Sequence, residues 1–230
     1  MNTNPQIAVI FDMDGVIVDS NPLITATWKD FFATHGIELS DDQLNHYVFG
    51  RMGKDTLRLV FGEDLTEPQI AAHLKKVEEG VWEKYQQQGL IVPGFKAFVE
   101  QLLAAGIKIA IATSSPSENV KVVMEMAGTT SLFTTITDAG QVQHSKPHPE
   151  IYLKTAVKLG IDVTNCVVFE DSFSGIQSAT SAGMHVIGVT TTHSPEELAP
   201  LTATTVPNFT NINVEQIRMI VQQSETFTVN

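Results

Sequence analysis

Two aspartates one residue apart, Asp12 and Asp14, follow the apolar run "AVIF" and precede Gly15. A buried strand has no packing use for two carboxylates at its tip, because burying unpaired charge is costly. Two further apolar runs end in the same way. "IKIAIA" runs into Thr113, Ser114 and Ser115, and "CVVF" runs into Glu170, Asp171 and Ser172. Lys146 stands in "SKPHPE", just ahead of a helical pattern. Each feature alone has an ordinary explanation: a solvated turn, a helix cap, a surface lysine. Their recurrence at successive strand exits points to one shared site.

The chemistry of such a site is coherent. Carboxylates crowded together repel strongly unless a cation sits among them. Hard oxygen donors suit Mg²⁺, which takes a few carboxylates, waters and substrate phosphate oxygens. The candidate acidic set is Asp12, Asp14, Glu170 and Asp171. Thr113 can donate to a phosphoryl oxygen, and Lys146 can act on it as a point charge. A helix N-terminus after Ser115 can add backbone N–H groups. Two tasks remain, nucleophile and proton donor, and Asp12 and Asp14 are adjacent carboxylates able to share them.

These residues need elements to hold them. The runs at 7–11, 107–112, 134–137, 166–170 and 185–190 are too short for helices and read as strands buried on both faces. Between them "GFKAFVEQLLAAG" and "HPEIYLKTAVKLG" carry helical stripes and end at glycines, and "SGIQSATSAG" is a shorter helix. Alternation of this kind predicts an α/β protein with a Rossmann-like, doubly wound parallel sheet, whose ligands bind beyond the carboxyl ends of the strands. From Ser20 to Leu90 the pattern is helical throughout, with Trp28, Phe31 and Phe32 on one helix. The expected organisation is a catalytic core of residues 1–18 plus 90–230 and an inserted, all-helical cap of residues 19–89 that selects substrate.

Composition narrows the function. The net charge of −12 argues against a nucleic-acid partner. No apolar run approaches the roughly 20 residues of a membrane span, and "MNTNPQ" has no signal-peptide character. A single cysteine, Cys166, sits in an apolar strand as a small hydrophobe. A cytoplasmic protein with no membrane association and no obligatory protein partner is expected. The first five residues and the tail after Val221 read as unordered.

The motifs "DMDGVIVDS", "ATSS", "SKPHPE" and "FEDSFSGIQSA" resemble the four motifs of the haloacid dehalogenase superfamily of phosphotransferases. The resemblance spans nearly the whole chain, and the first and fourth motifs point to the β-phosphoglucomutase-like group, mostly small-metabolite phosphatases. It implies that Asp12 attacks phosphorus and forms an aspartyl-phosphate. Asp14 would serve as acid and then base, and its backbone carbonyl would help to hold Mg²⁺. Asp171 would complete the metal site, with Glu170 bound directly or through water. Thr113 and the Ser114 backbone would grip the phosphoryl group, while Lys146 neutralises it. The substrate would be a small phosphorylated metabolite.

The chain departs from the mutase pattern at two positions. Ile24 stands where mutases carry a histidine, and Gly53 where they carry an arginine for a second phosphate. Hydrolysis is therefore favoured over a β-phosphoglucomutase activity. Pyrophosphate hydrolysis and a non-enzymatic phospho-aspartate signalling module are further alternatives, although a switch has no need of a proton donor at Asp14. In "FGRMGKDTLR" the pair Gly53-Lys54 lacks the surrounding residues of a nucleotide-binding loop. Arg51 and Lys54 are instead candidate cap contacts to substrate. Ser20 and Asn21 are either hinge residues or contacts near the site. His144 and His148 have helical metal-ligand spacing, but Pro147 between them keeps them off one helix face, so they read as loop histidines. Trp28 and Trp82 read as cap core.

Overall fold

A computed structural model describes residues 6–49, 51–88 and 90–225. Strand β1 (Ala8–Phe11) is followed by a tight turn and β2 (Val18–Asp19). Helices α1 (Asn21–Ala33), α2 (Asp41–Tyr47), α3 (Gly53–Phe61) and α4 (Glu67–Gln88) come next. The chain returns through β3 (Leu90–Ile91), antiparallel to β2, and then alternates. The alternating half comprises α5 (Phe95–Ala104), β4 (Lys108–Ala112), α6 (Ser117–Met126), β5 (Ile136–Thr137), α7 (Glu150–Leu159), β6 (Cys166–Glu170), α8 (Phe173–Ser181), β7 (His185–Val189), α9 (Pro195–Leu198), β8 (Thr204–Val206) and α10 (Val214–Glu225).

Six strands form a parallel sheet in the order β5-β4-β1-β6-β7-β8. Strand β1 is central, and the chain leaves it first to one side and later to the other. The order therefore reverses at β1, where an open α/β sheet offers its binding crevice. Successive side chains of a strand face opposite ways. Accordingly Val9 and Phe11 enter one apolar core, while Ala8 and Ile10 enter a second on the other side. Beneath the strand exits, Phe11 stacks on Phe169 at 5.2 Å and meets Phe95, Phe98, Phe133 and Phe209 edge-on. Aromatic pairs in these geometries contribute about 1 kcal/mol each beyond burial. The residues after Phe11 and Phe169 thus stand on a rigid platform.

The helical insert has its own packing. Trp28 stacks on Phe32 at 5.2 Å and meets Phe31 edge-on. Helix α2 opens with a reciprocal cap, the Gln43 N–H donating to Ser40 Oγ and the Ser40 N–H to Gln43 Oε1. The side chain of Trp82 lies outside the described residues. The doubly wound sheet and inserted helices match the expected fold class. Strands β2, β3 and β8, of two or three residues each, had no sequence signal. The expected disorder after Val221 is corrected: α10 continues to Glu225, because Ile217 and Val221, one turn apart, are both buried. The five N-terminal residues and those after Glu225 lie outside the described residues.

Candidate active site

The carboxyl ends of β1, β4 and β6 meet at one edge of the sheet. The Asp12 N–H donates to the Phe169 carbonyl at 3.0 Å, carrying the β1–β6 ladder one residue past the strands. The Thr113 N–H does the same toward Thr137 at 2.9 Å. These bonds fix where the acidic and hydroxyl side chains emerge.

Lys146 is the hub. Its side chain is fully buried, and its ammonium donates to Asp12 Oδ1 at 2.7 Å, Glu170 Oε1 at 2.6 Å and the Ala112 carbonyl at 3.4 Å. Three donors thus find three acceptors. The Tyr152 ring lies 5.0 Å from the ammonium, and its hydroxyl donates to Glu170 Oε1 at 2.7 Å. The other Glu170 oxygen accepts from the Asp171 N–H, the Ser172 N–H and the Ser172 hydroxyl at 3.1–3.3 Å. Burial alone would lower the Lys146 pKa, but the carboxylates of Asp12 and Glu170 outweigh it and raise it.

Asp12, Glu170 and Asp171 bring carboxylate oxygens within 4.8 Å of one another, all buried. Burial pushes the Asp12 carboxyl well above its ordinary range; Lys146 opposes this, while Glu170 and Asp171 add to it. Asp171 is pushed up to about 7, by burial first and the Glu170 carboxylate second. One ammonium among three buried carboxylates leaves an excess of negative charge on hard oxygen donors. That donor set fits a divalent cation of the Mg²⁺ type.

Asp14 stands apart from this trio. Its Oδ1 accepts from the Ser20 hydroxyl at 2.7 Å and its Oδ2 from the Ser115 hydroxyl at 2.6 Å. Any direct role at a cation therefore falls to its backbone carbonyl, as the motif resemblance implies. Thr113 is buried, and its Oγ accepts the Ser115 N–H at 3.0 Å, which leaves its own hydroxyl proton to donate. Asn21, on the first turn of α1, donates to Asp171 Oδ2 at 2.9 Å, and the Thr192 hydroxyl reaches the same oxygen. Both linker residues therefore touch acidic residues of the site. Gly15, at φ 78°, permits the turn: a Cβ there would lie 1.9 Å from Asp171 Oδ2 and 2.6 Å from Asn21 Nδ2.

A cavity of about 330 Å³ opens over these groups. Asp12, Asp14, Thr113, Ser114 and Asp171 form its floor side, while Ile24, Trp28, Arg51, Gly53 and Lys54 line it from the helical insert. The two basic candidates thus reach the same cavity as the catalytic candidates, and Arg51 is steadied by its Nε donating to the His46 carbonyl at 3.1 Å. Trp28 belongs to the insert's core, as expected, and also borders the cavity.

Residues 9–189 match the haloacid dehalogenase-like hydrolases. The chain belongs to that family. Hexitol phosphatase A of Escherichia coli is 33% identical to this hydrolase over 181 residues, 78% of this chain and 81% of the relative. The crystal structure of a haloacid dehalogenase hydrolase of family IA, variant 3, from Entamoeba histolytica superposes with a TM-score of 0.84 at 27% identity, covering 94% of this chain and all of that one. A beta-phosphoglucomutase from Clostridium difficile has the same fold, with a TM-score of 0.84 at 23% identity over 96% of this chain and 99% of that one.

Sequence reasoning missed three partners in this hydrolase. Ser115 was grouped with the other hydroxyls but given no role, whereas it holds Asp14. Thr192 follows β7 at the same sheet edge, so the rule that examines each strand exit would have found it. Tyr152 lies within the helical pattern of "HPEIYLKTAVKLG", where its ring alone suits an apolar stripe. A buried tyrosine hydroxyl requires a hydrogen-bond partner, and that requirement was the available signal.

Proposed function

We propose that this protein hydrolyses a small phosphate monoester, a sugar phosphate or similar metabolite, through an aspartyl-phosphate on Asp12. The observation that carries the reading is Asp12 itself. It lies at the switch point of the sheet, 2.7 Å from a buried ammonium, and faces a small cavity. The 33% identity to hexitol phosphatase A supports the same class of substrate. A volume near the lower end of the usual 300–1,000 Å³ for ligand pockets suits a small metabolite.

Asp12, held by Lys146, attacks phosphorus while the bond to the leaving oxygen breaks, and Asp14 gives that oxygen its proton. Asp14 then takes a proton from water as the water attacks the phosphorus of the aspartyl-phosphate, releasing phosphate and restoring Asp12. Ser20 and Ser115 keep Asp14 oriented in both protonation states, because a hydroxyl can donate or accept. Thr113 and the Ser114 backbone hold the phosphoryl oxygens. Asp12, Asp171 and the Asp14 carbonyl, with Glu170 acting through water, would hold Mg²⁺, which supplies positive charge for the phosphoryl oxygens. Glu170, with both oxygens occupied by donors, acts mainly by fixing Lys146. Residues 19–89 act as the cap that excludes bulk water and selects substrate. The buried thiol of Cys166 accords with a reducing cytoplasm.

Hydrolysis is favoured over mutase activity because Ile24 and Gly53 both line the cavity. At those positions the chain offers neither an imidazole nor a guanidinium for a second phosphate. The test is a panel of monophosphorylated sugars and polyols, with pyrophosphate and both glucose 1-phosphate anomers, assayed with Mg²⁺ for free phosphate and for 6-phosphate product. Free phosphate is expected, and Asp12→Asn should lower its release on the order of a thousandfold or more. Conversion to 6-phosphate without free phosphate would replace this reading with the mutase.

A further inference from the structure

Apart from the acidic trio, the described residues gather one other set of metal-ligand side chains, His144, His148 and Glu150, whose candidate ligand atoms lie within 4.8 Å of one another. Pro147 does keep the two histidines off a common helix, since both precede α7. The loop nevertheless folds back so that their rings lie 4.4 Å apart, tilted by 30°.

Glu150 is the fixed point of the group. It accepts the Gln143 N–H at 3.1 Å, the His144 N–H at 2.9 Å and the Lys154 ammonium at 2.6 Å. Hydrogen bonding to Lys154 outweighs burial, which acts the other way, and with the backbone donors of Gln143 and His144 holds its carboxyl well below the usual range. It therefore remains a carboxylate at working pH. His144 Nδ1 lies 2.8 Å from Glu150 Oε2. A carboxylate only accepts, so Nδ1 carries a proton, and in the neutral imidazole Nε2 then keeps its lone pair. This is how a carboxylate prepares a histidine to ligate a metal. His148 Nδ1 accepts the Glu150 N–H over a longer 3.3 Å, a bond that water can replace at this exposed position.

The donor set is nitrogen-rich, which suits zinc, nickel or copper rather than Mg²⁺. Zinc–nitrogen bonds of about 2.0–2.1 Å put tetrahedral ligands about 3.3 Å apart. His144 and His148 are exposed and their rings lie 4.4 Å apart, so rotation of the two side chains can bring one nitrogen of each to that spacing. A cleft of about 730 Å³ between this loop and α3, lined by both histidines, leaves room for water ligands.

We propose that His144 and His148, with Glu150 orienting His144, form a surface site for a zinc-like divalent transition ion, spanning the residue that holds the nucleophile, Lys146. The test is calorimetric titration of ZnCl₂ into the tag-free full chain, with Mg²⁺ at saturation to occupy the acidic trio. One equivalent should bind, and the double variant His144→Ala/His148→Ala should weaken that binding at least about tenfold. Both positions are exposed, so an unchanged melting temperature will show that the variant is folded. Absence of binding to the wild-type chain would overturn the proposal. So would an equivalent of zinc that persists in the double variant, since it would then occupy another site.

Discussion

At the scale of single residues, the site separates two aspartates that are neighbours in sequence. Asp12 lies among carboxylates and a lysine, whereas Asp14 is held by two serine hydroxyls. Different surroundings are what two carboxyl groups need to divide nucleophilic and acid–base work. The consequence is measurable through the leaving group. With Asp14→Asn, alkyl phosphates should lose on the order of 10²-fold or more in turnover, and an activated aryl phosphate far less, because a good leaving group departs unprotonated. Equal losses for the two substrate types would remove the acid role from Asp14. Lys146 shows the same dependence on surroundings. Buried without partners it would shed its proton, and it stays charged only because two carboxylates face it.

At the scale of elements, the start of α8 fits closely around Glu170. A Cβ at Gly175 would lie 1.8 Å from Glu170 Oε1 and 2.0 Å from its Cδ. In an open helix Gly→Ala gains about 1 kcal/mol. Here overpacking, which costs about 1–3 kcal/mol, decides the sign. Gly175→Ala should lower the melting temperature and, by displacing Glu170 from Lys146, reduce turnover at least about tenfold. Thermal melts and kcat measured on the same preparation will check both. The elements differ in how much of this could be read beforehand. Strands β1, β4 and β6 were legible because both faces are buried, so apolar runs end abruptly at polar residues. Strand β8, "TTV", has no apolar run and takes its conformation from pairing with β7. The acidic and hydroxyl residues at those strand exits were legible for the same reason as the strands. Contacts such as Ser115 to Asp14 and Tyr152 to Glu170 were not, because they depend on which loops meet in space. The histidine pair lies in a loop, as its spacing around Pro147 implies, but the closeness of the two rings was not legible, because spacing along a chain says nothing about a loop that doubles back.

At the scale of the whole molecule, crowding of buried acidic groups sets the pH response of the metal-free chain. Asp171 rises to about 7 when folded, against about 3.9 in an unfolded chain. Between those values the folded chain holds a proton that the unfolded chain has lost. Stability must therefore fall as pH rises through that window. In EDTA, the protein should melt at a higher temperature at about pH 5.5 than at about pH 8, and Mg²⁺ should raise the melting temperature more at the higher pH. Asp171→Asn should flatten both trends. A metal-free protein that melts higher at the alkaline end would contradict the buried-carboxylate picture.

The placement of β1 at the middle of the sheet has a consequence for synthesis. Strand β1 leaves the ribosome before the other strands of its sheet and acquires its β6 neighbour only after α1 to α7 have been made, and Thr192 arrives later still. No early fragment holds both Asp12 and Asp171, so a nascent or prematurely terminated product carries the proposed nucleophile without the means to use it. Phosphatase competence is thus gained in one late step rather than gradually, and partial chains have no hydrolytic activity to release.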